Sequence, residues 1–348
     1  MKIMLITDAW APQVNGVVVT LQQVSQQLLQ LGHDVKIIHP GLFRTMPCPG
    51  YAEIRLAIGA GRQVAAAIRQ FKPDALHIAT EGPLGYAAWR YATRHRLNFT
   101  TAYHTRFPEY LHARLRLPTA LSYCWLRRFH GAATRTLVPS PGVRSDLLRQ
   151  SFDASKLVLW TRGVNTQLFH PHSETQTCTP AHDGESAVFL YAGRLAIEKN
   201  IEAFLKLDLP GKKWVVGDGP LREKLEKRYP EVYFAGAKTH AELAHFYRMA
   251  SVFVFPSQTD TFGLVLLEAM ACGCPVAALP AVSTQYVLGN SGAGHIDDDL
   301  RTACIKALKI PRSIPADYAK QFSWSQTSQG FLDNLAPIES SPATPATA

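Results

Sequence analysis

Short apolar, β-branched runs alternate with longer amphipathic stretches along most of this chain. Residues 2–7, 34–39, 75–78, 99–103 and 136–139 read as buried strands, with helical stretches between them. A loop at 10–16 leads into a helix that runs to about Leu31 and stops at Gly32. The second half repeats the plan, with strands expected at 187–192, 213–216, 232–235, 252–255 and 275–278. Strand, helix, strand alternation of this kind gives a parallel, doubly wound α/β sheet, and here it predicts two of them. The stretch 169–184 is polar and broken by proline, as an interdomain connection would be. The expected division is a first domain over 1–168, a linker over 169–186, a second domain over 187–317 and a closing helix over 318–335 that packs back on the first domain. Residues 336–348 are small and polar and are expected to be disordered.

With 348 residues, 47% of them hydrophobic, the chain can bury two cores, and no run is apolar enough to span a bilayer. The apolar start at Met1–Thr7 ends at Asp8, too short for a signal peptide and suited to a first strand. Six cysteines (48, 124, 178, 272, 274 and 304) show no metal-ligand clustering, and no metal is expected. Reduced thiols in a cytoplasmic protein fit that usage. Charge changes the picture more. Residues 1–170 carry twenty Lys and Arg against eight Asp and Glu, whereas the remainder carries sixteen against nineteen. Within the basic half, residues 110–130 interleave arginines with Leu, Tyr, Trp and Phe. Such a face suits an anionic lipid surface at the inner side of the cytoplasmic membrane; the alternative is that its apolar residues face the core and its arginines are simply solvated. Nucleic acid is not an expected partner, because no recognition module, aromatic pair or basic tail accompanies the charge.

The most informative run is Pro256–Pro275. A strand closed by proline leads through Asp260, Phe262 and Gly263 into a helix from Leu264, with Glu268 about two turns on. The unpaired amides at that helix start favour an anion or a sugar hydroxyl, and the two carboxylates can address one elongated polyhydroxylated ligand. The plainer reading is that Asp260 caps the helix and Glu268 is an ordinary half-buried acid. Upstream, Arg194 and Lys199 follow the first strand of the second half, where a diphosphate would carry its charge; a surface ion pair with Glu198 or Glu202 is the alternative. Gly217 and Gly219 lie in a turn after the next strand, and Gly16 follows the first strand of the chain, where close backbone approach to a phosphate is at stake. In the first half, Thr101–Tyr110 is dense in hydrogen-bonding side chains. His104, Arg106 and Tyr110 are candidates there, with His77 and Glu81 at the end of another strand serving either a ligand or the loop.

Segment 256–276 resembles the donor-binding motif of the retaining glycosyltransferases of family four, in which two glutamates are separated by seven intervening residues within a proline-serine, phenylalanine-glycine, leucine-glutamate-alanine frame. Asp260 replaces the first glutamate and draws its oxygens back by one methylene. The resemblance covers roughly residues 1–335. It implies the GT-B fold, two Rossmann-like domains facing across a cleft, and a nucleoside-diphosphate sugar, a UDP-sugar or GDP-mannose, as donor substrate with no further cofactor. Carried over residue by residue, it places Arg194 and Lys199 on the diphosphate, Asp260, Phe262, Gly263, Leu264 and Glu268 on the donor, the 217–219 turn beside the nucleotide and His104 over the donor sugar. Bacterial members that glycosylate lipids such as diacylglycerol, and relatives that are mannosyltransferases, both resemble the wider sequence. A membrane lipid is therefore the expected acceptor, with a glycan or polysaccharide as the alternative. Two rivals stay open, a nucleotide-sugar epimerase on the same scaffold and an inactive homologue that only binds, the latter resting on Asp260.

Overall fold

The computed structural model describes residues 1–48, 51–109, 116, 118–171 and 186–338. They form two compact units, Met1–Thr161 with the residues from Ser325 onward, and Arg162–Trp324. The division falls short of residue 168 because Val164 and Phe169 are buried in the core of the second unit. Most of the expected linker, 172–185, lies outside the described residues.

The first unit is built on strands β1 (Lys2–Ile6), β2 (Asp34–Ile38), β5 (Ala75–Ile78), β6 (Thr100–Ala102), β7 (Arg135–Val138) and β8 (Leu157–Leu159), with a separate antiparallel pair, β3 (Thr45–Cys48) and β4 (Tyr51–Ala57). Its six-stranded sheet runs β2-β1-β5-β6-β7-β8, every pair parallel. Alternation decides the two faces. Met4 and Ile6 point to one core with Val64, Ile68, Leu84 and Ala88, and Ile3 and Leu5 point to the other with Val24, Leu28, Trp160 and Phe331.

That second core explains where the chain ends. The expected helix over 318–335 is two helices, Ser313–Ala319 in the second unit and Trp324–Asn334, whose Phe331 fills the first unit's core. Trp160 Nε1 donates to the Thr327 carbonyl at 2.9 Å. Residues 336–338, expected in the disordered tail, are paired instead: Pro337 bridges Ala75, and the Ile338 amide donates to the Asp74 carbonyl at 2.8 Å.

The second unit repeats the architecture with β9 (Ala187–Ala192), β10 (Gly211–Val216), β11 (Tyr233–Gly236), β12 (Val252–Phe255), β13 (Val276–Ala278) and β14 (Gly294–Ile296), ordered β11-β10-β9-β12-β13-β14 and parallel throughout. Leu190, Phe253 and Phe255 face one core; Phe189, Tyr191 and Val254 face the other. In each sheet the chain leaves the first strand toward one edge and returns to its other side, so a switch point lies between β1 and β5 and between β9 and β12. Crevices at the carboxyl ends of such strands are where ligands bind in open α/β sheets. Strands β3, β4, β8 and β14 are additions to the elements read from sequence.

Asp8, at the end of β1, ties the first switch point together. Its Oδ1 accepts from the Leu84 amide at 2.8 Å, and its Oδ2 from the Gly85 amide at 3.1 Å and Thr80 Oγ1 at 2.9 Å. It thus caps the helix Pro83–Arg94, whose own N-cap, Gly82, has no side chain to do so. A Cβ on Gly82 would stand 2.5 Å from the Asp8 carboxyl carbon. Replacing Asp8 by alanine should lower the unfolding free energy by about 2–4 kcal/mol, because two buried amides and the half-buried Thr80 hydroxyl lose their acceptor. Urea unfolding followed by circular dichroism measures it, and a loss below about 0.5 kcal/mol would contradict the capping role.

Candidate functional site

At the carboxyl end of β9 the chain turns sharply through Gly193 and Arg194, and the equivalent turn after β10 packs on it backbone to backbone. The Gly193 amide donates to the Val216 carbonyl at 3.0 Å, and the Leu195 amide to the Asp218 carbonyl at 2.8 Å. Gly217, at φ +135°, is so close that a Cβ would lie 1.9 Å from the Gly193 carbonyl oxygen. At Gly219 a Cβ would lie 2.5 Å from the Leu195 carbonyl oxygen. These two glycines therefore set the path of the segment carrying Arg194, whatever else they touch. Tyr191 OH fixes the same turn by donating to the Arg194 carbonyl at 2.9 Å.

Three contacts then fasten the loop after β9 to the loop after β12. Lys199 Nζ is ion-paired with Asp260 Oδ1, Thr259 Oγ1 donates to the Glu198 carbonyl at 2.9 Å, and Asn200 Nδ2 donates to the Pro256 carbonyl at 3.3 Å. About a fifth of each side chain in the Lys199–Asp260 pair is exposed. Asp260 Oδ2 is buried and accepts no hydrogen bond from the described residues. Lys199 is thus paired with Asp260, while Glu202 holds Lys206 and Arg228. Nor does Asp260 cap the following helix, Leu264–Ala271. The N-cap there is Gly263, left-handed at φ +82°, with no side-chain cap. The start of this helix is open to an acceptor group, and Phe262 is buried beside it.

Glu268 has a different partner from Asp260. It is 7% exposed and accepts from Tyr247 OH at 3.3 Å through Oε2. Burial pushes its carboxyl up to about 7, against the pull of that hydroxyl. Tyr247 was not among the candidates read from sequence. Its position on the helix His240–Met249, facing Glu268 across a packed interface, has no local signature.

In the first unit, Gly16 opens the helix Gly16–Gln30 and is exposed. Asn15 Oδ1 accepts from the Val17 and Val18 amides, both at 3.0 Å, so the cap occupies two of the donors expected to face a diphosphate. His104 follows β6, half-buried, with its ring edge-on to Trp160 at 5.9 Å. Arg106 is ion-paired with Asp146, which also holds Arg149. Tyr110 lies outside the described residues. His77 is a core residue: it is wholly buried in β5, 2.9 Å from Thr100 Oγ1 and edge-on to Phe331 at 4.8 Å. Glu81 supports the interior as well, its Oε1 lying 3.1 Å from Nε2 of buried His130. Nδ1 of that ring is 2.9 Å from Thr101 Oγ1, which continues to Thr136 Oγ1 at 3.0 Å.

Comparison with known proteins agrees with this arrangement. Residues 14–168 match the model of Glycosyltransferase Family 4, and residues 174–296 match that of Glycosyl transferases group 1. The chain belongs to the GT-B glycosyltransferases. A sulfoquinovosyl transferase of Arabidopsis thaliana is 31% identical to it over 85% of this chain and 63% of its own length, so the chain spans under two thirds of that relative. A GDP-mannose-dependent alpha-mannosyltransferase of Mycobacterium tuberculosis (strain CDC 1551 / Oshkosh) is 29% identical over 80% of this chain and 78% of the relative. An alpha-monoglucosyldiacylglycerol synthase of Streptococcus pneumoniae is 28% identical over 88% and 78%. Among solved structures, the sucrose-phosphate synthase from Thermosynechococcus elongatus superposes with a TM-score of 0.76 at 21% identity, covering 95% of this chain and 97% of that one. That likeness carries the fold, two Rossmann-like parallel-sheet domains.

The buried Glu268 has a measurable signature. Its folded value near 7 lies above the ordinary 4.5, so the folded state favours the protonated form. Stability should be greatest below about pH 4.5 as far as this group is concerned, and should fall as pH rises to about 7, by about 2–3 kcal/mol. Glu268→Gln should remove that fall, which unfolding experiments at pH 5 and pH 8 would compare. An identical slope in the variant would mean that the carboxyl is not buried as described.

Proposed function

We propose that this chain transfers a sugar from a nucleoside-diphosphate sugar to an acceptor hydroxyl with retention at the anomeric carbon, and that the acceptor is a membrane lipid of diacylglycerol type. One observation carries the donor reading: the Lys199–Asp260 pair joins the ends of β9 and β12 beside a helix start with no side-chain cap. A diphosphate presents the charge that Lys199, Arg194 and the amides of Leu264 and Val265 complement, and the donor's hydroxyls suit Asp260 Oδ2 and Glu268. In the reaction the bond from the anomeric carbon to the diphosphate oxygen breaks and the acceptor oxygen bonds to that carbon on the same face. The acceptor's proton passes to the departing phosphate. Negative charge grows on the phosphate as the bond breaks, so cations placed there act chiefly on the transition state. On this reading, cations and helix amides do the work without a divalent metal.

The lipid acceptor rests on two supports. One is the diacylglycerol named in the streptococcal relative. The other is a surface of the first unit where Tyr86, Trp89, Trp125, Arg128 and Phe129 line a pocket of about 260 Å³, with Leu121 67% exposed and Trp125 37% exposed nearby. Amphipathic aromatics beside arginines suit the headgroup region of an anionic bilayer. Within the same segment Tyr123, Leu126 and Phe129 are buried, so its apolar residues divide between core and surface. No helix among the described residues is long and apolar enough to cross a membrane, and the proposed association is peripheral, at the cytoplasmic face. The mannosyltransferase relative supports a second reading, GDP-mannose as donor and a glycan as acceptor.

Nucleoside diphosphate release from UDP- and GDP-sugars, with and without vesicles of diacylglycerol and anionic lipid, separates these readings. Release that needs the vesicles and yields a glycolipid supports the lipid acceptor, and stimulation by soluble glycans alone moves the acceptor to a polysaccharide. No release from any donor favours the epimerase or binding-protein alternatives. Activity should persist in EDTA. Arg194→Ala should lower kcat by about 10²–10³ with a smaller change in KM; weaker binding with unchanged turnover would remove Arg194 from the transition state.

A further inference from the structure

Tyr247 is wholly buried, and its ring is fixed edge-on between Phe253 at 5.4 Å and Phe169 at 6.1 Å. Phenylalanine would satisfy both contacts. The hydroxyl has one hydrogen bond in the structure, to Glu268 Oε2, and a buried hydroxyl is costly unless it is used.

Arg312 joins the carboxyl ends of the two helices that bring these side chains together. Arg312 Nη1 donates to the Ala250 carbonyl at 2.7 Å, and its Nη2 is within reach of the carbonyls of Arg248 at 2.9 Å, Cys272 at 3.3 Å and Tyr247 at 3.4 Å. A guanidinium bridging the ends of His240–Met249 and Leu264–Ala271 satisfies orphan carbonyls of both and complements both dipoles. It thereby fixes how Tyr247 meets Glu268.

We propose that Tyr247 is a positioning residue for donor binding, its hydroxyl holding Glu268 Oε2 so that Oε1 of the ionised carboxylate is left to accept from a hydroxyl of the nucleotide donor. This rests on the donor reading above. Hydroxyl donors favour the carboxylate over the protonated acid, so donor binding is coupled to loss of the Glu268 proton, and the tyrosine hydroxyl favours the same ionised form.

The groups around Glu268 leave this titration to it. From the helix His240–Met249 the facing group is Tyr247, and from its own helix end it is Cys272, then Cys274. Burial pushes both thiols up to about 12, so they stay neutral over the working range. Arg248 and Arg312 lie around Cys272. Strands β12 and β13 contribute only Val, Phe and Ala, and Asp317, on the helix Ser313–Ala319, is exposed and paired with Lys320.

Calorimetric titration of the full chain with UDP and GDP from pH 5.5 to 9 tests this on wild type, Tyr247→Phe and Glu268→Gln. Wild-type affinity should rise through a midpoint near neutrality. In Tyr247→Phe the midpoint should move up by about one pH unit, giving roughly tenfold weaker binding at pH 6.5 and near recovery at pH 9. Glu268→Gln should bind weakly with no such midpoint. Equal weakening of Tyr247→Phe at every pH, or no change at all, overturns the positioning role while leaving the donor reading intact. Failure of the wild type to bind either nucleotide at any pH overturns the donor reading and this inference with it.

Discussion

A Cβ on Gly217 would stand 1.9 Å from the Gly193 carbonyl oxygen, and the candidate site in the second unit depends on that contact being free of a side chain. Because the turns after β9 and β10 lie directly on one another, their amides and carbonyls satisfy each other, and the segment that follows leaves β9 along one path. Arg194 and Lys199 are on that path. Lys199 then meets Asp260 from the other side of the switch point, and Thr259 and Asn200 reinforce the join. A cation at the end of the short 3-10 helix Ile197–Lys199 and a carboxylate on the loop after β12 are thereby held at fixed places.

The first unit meets the same requirement by other means. Its switch point is closed by Asp8, a carboxylate from the end of β1 that caps a helix belonging to the next crossover. Burial raises its pKa although Leu84, Gly85 and Thr80 all donate to it. The polar interior continues through Glu81, His130, Thr101 and Thr136, and behind it Trp160 lies against both His77 and His104. Of these two histidines, His77 inside β5 is wholly buried and His104 beyond the end of β6 is half-buried. Position relative to the strand end separates support from candidate chemistry.

Charge in the second unit is likewise assigned by packing. Asp260 and Glu268 belong to one sequence motif, yet one carboxylate answers a lysine at the edge of a crevice and the other answers a tyrosine inside a core. Burial raises the Glu268 carboxyl, and packing rather than the shared motif decides what each acid meets.

Much of this protein was legible along the chain. Unbroken apolar runs such as Ile3–Ile6 and Val252–Phe255 announce strands because a parallel sheet covered on both faces buries every residue, and glycines after them mark turns that no other residue can take. Those are local constraints, and the α/β class, the two-unit plan and the motif around Asp260 follow from them. The short strands β8 and β14 escaped because each pairs on one side only and is partly exposed, so no wholly buried run marks it. What the sequence could not supply is pairing across distance: Asp8 with Leu84 and Gly85, Arg312 with two helix ends, Pro337 with Ala75, Tyr247 with Glu268. Each joins residues 21 or more positions apart in the chain, and a contact of that kind leaves no trace in composition or period. Only the packed chain decides which donor reaches which acceptor.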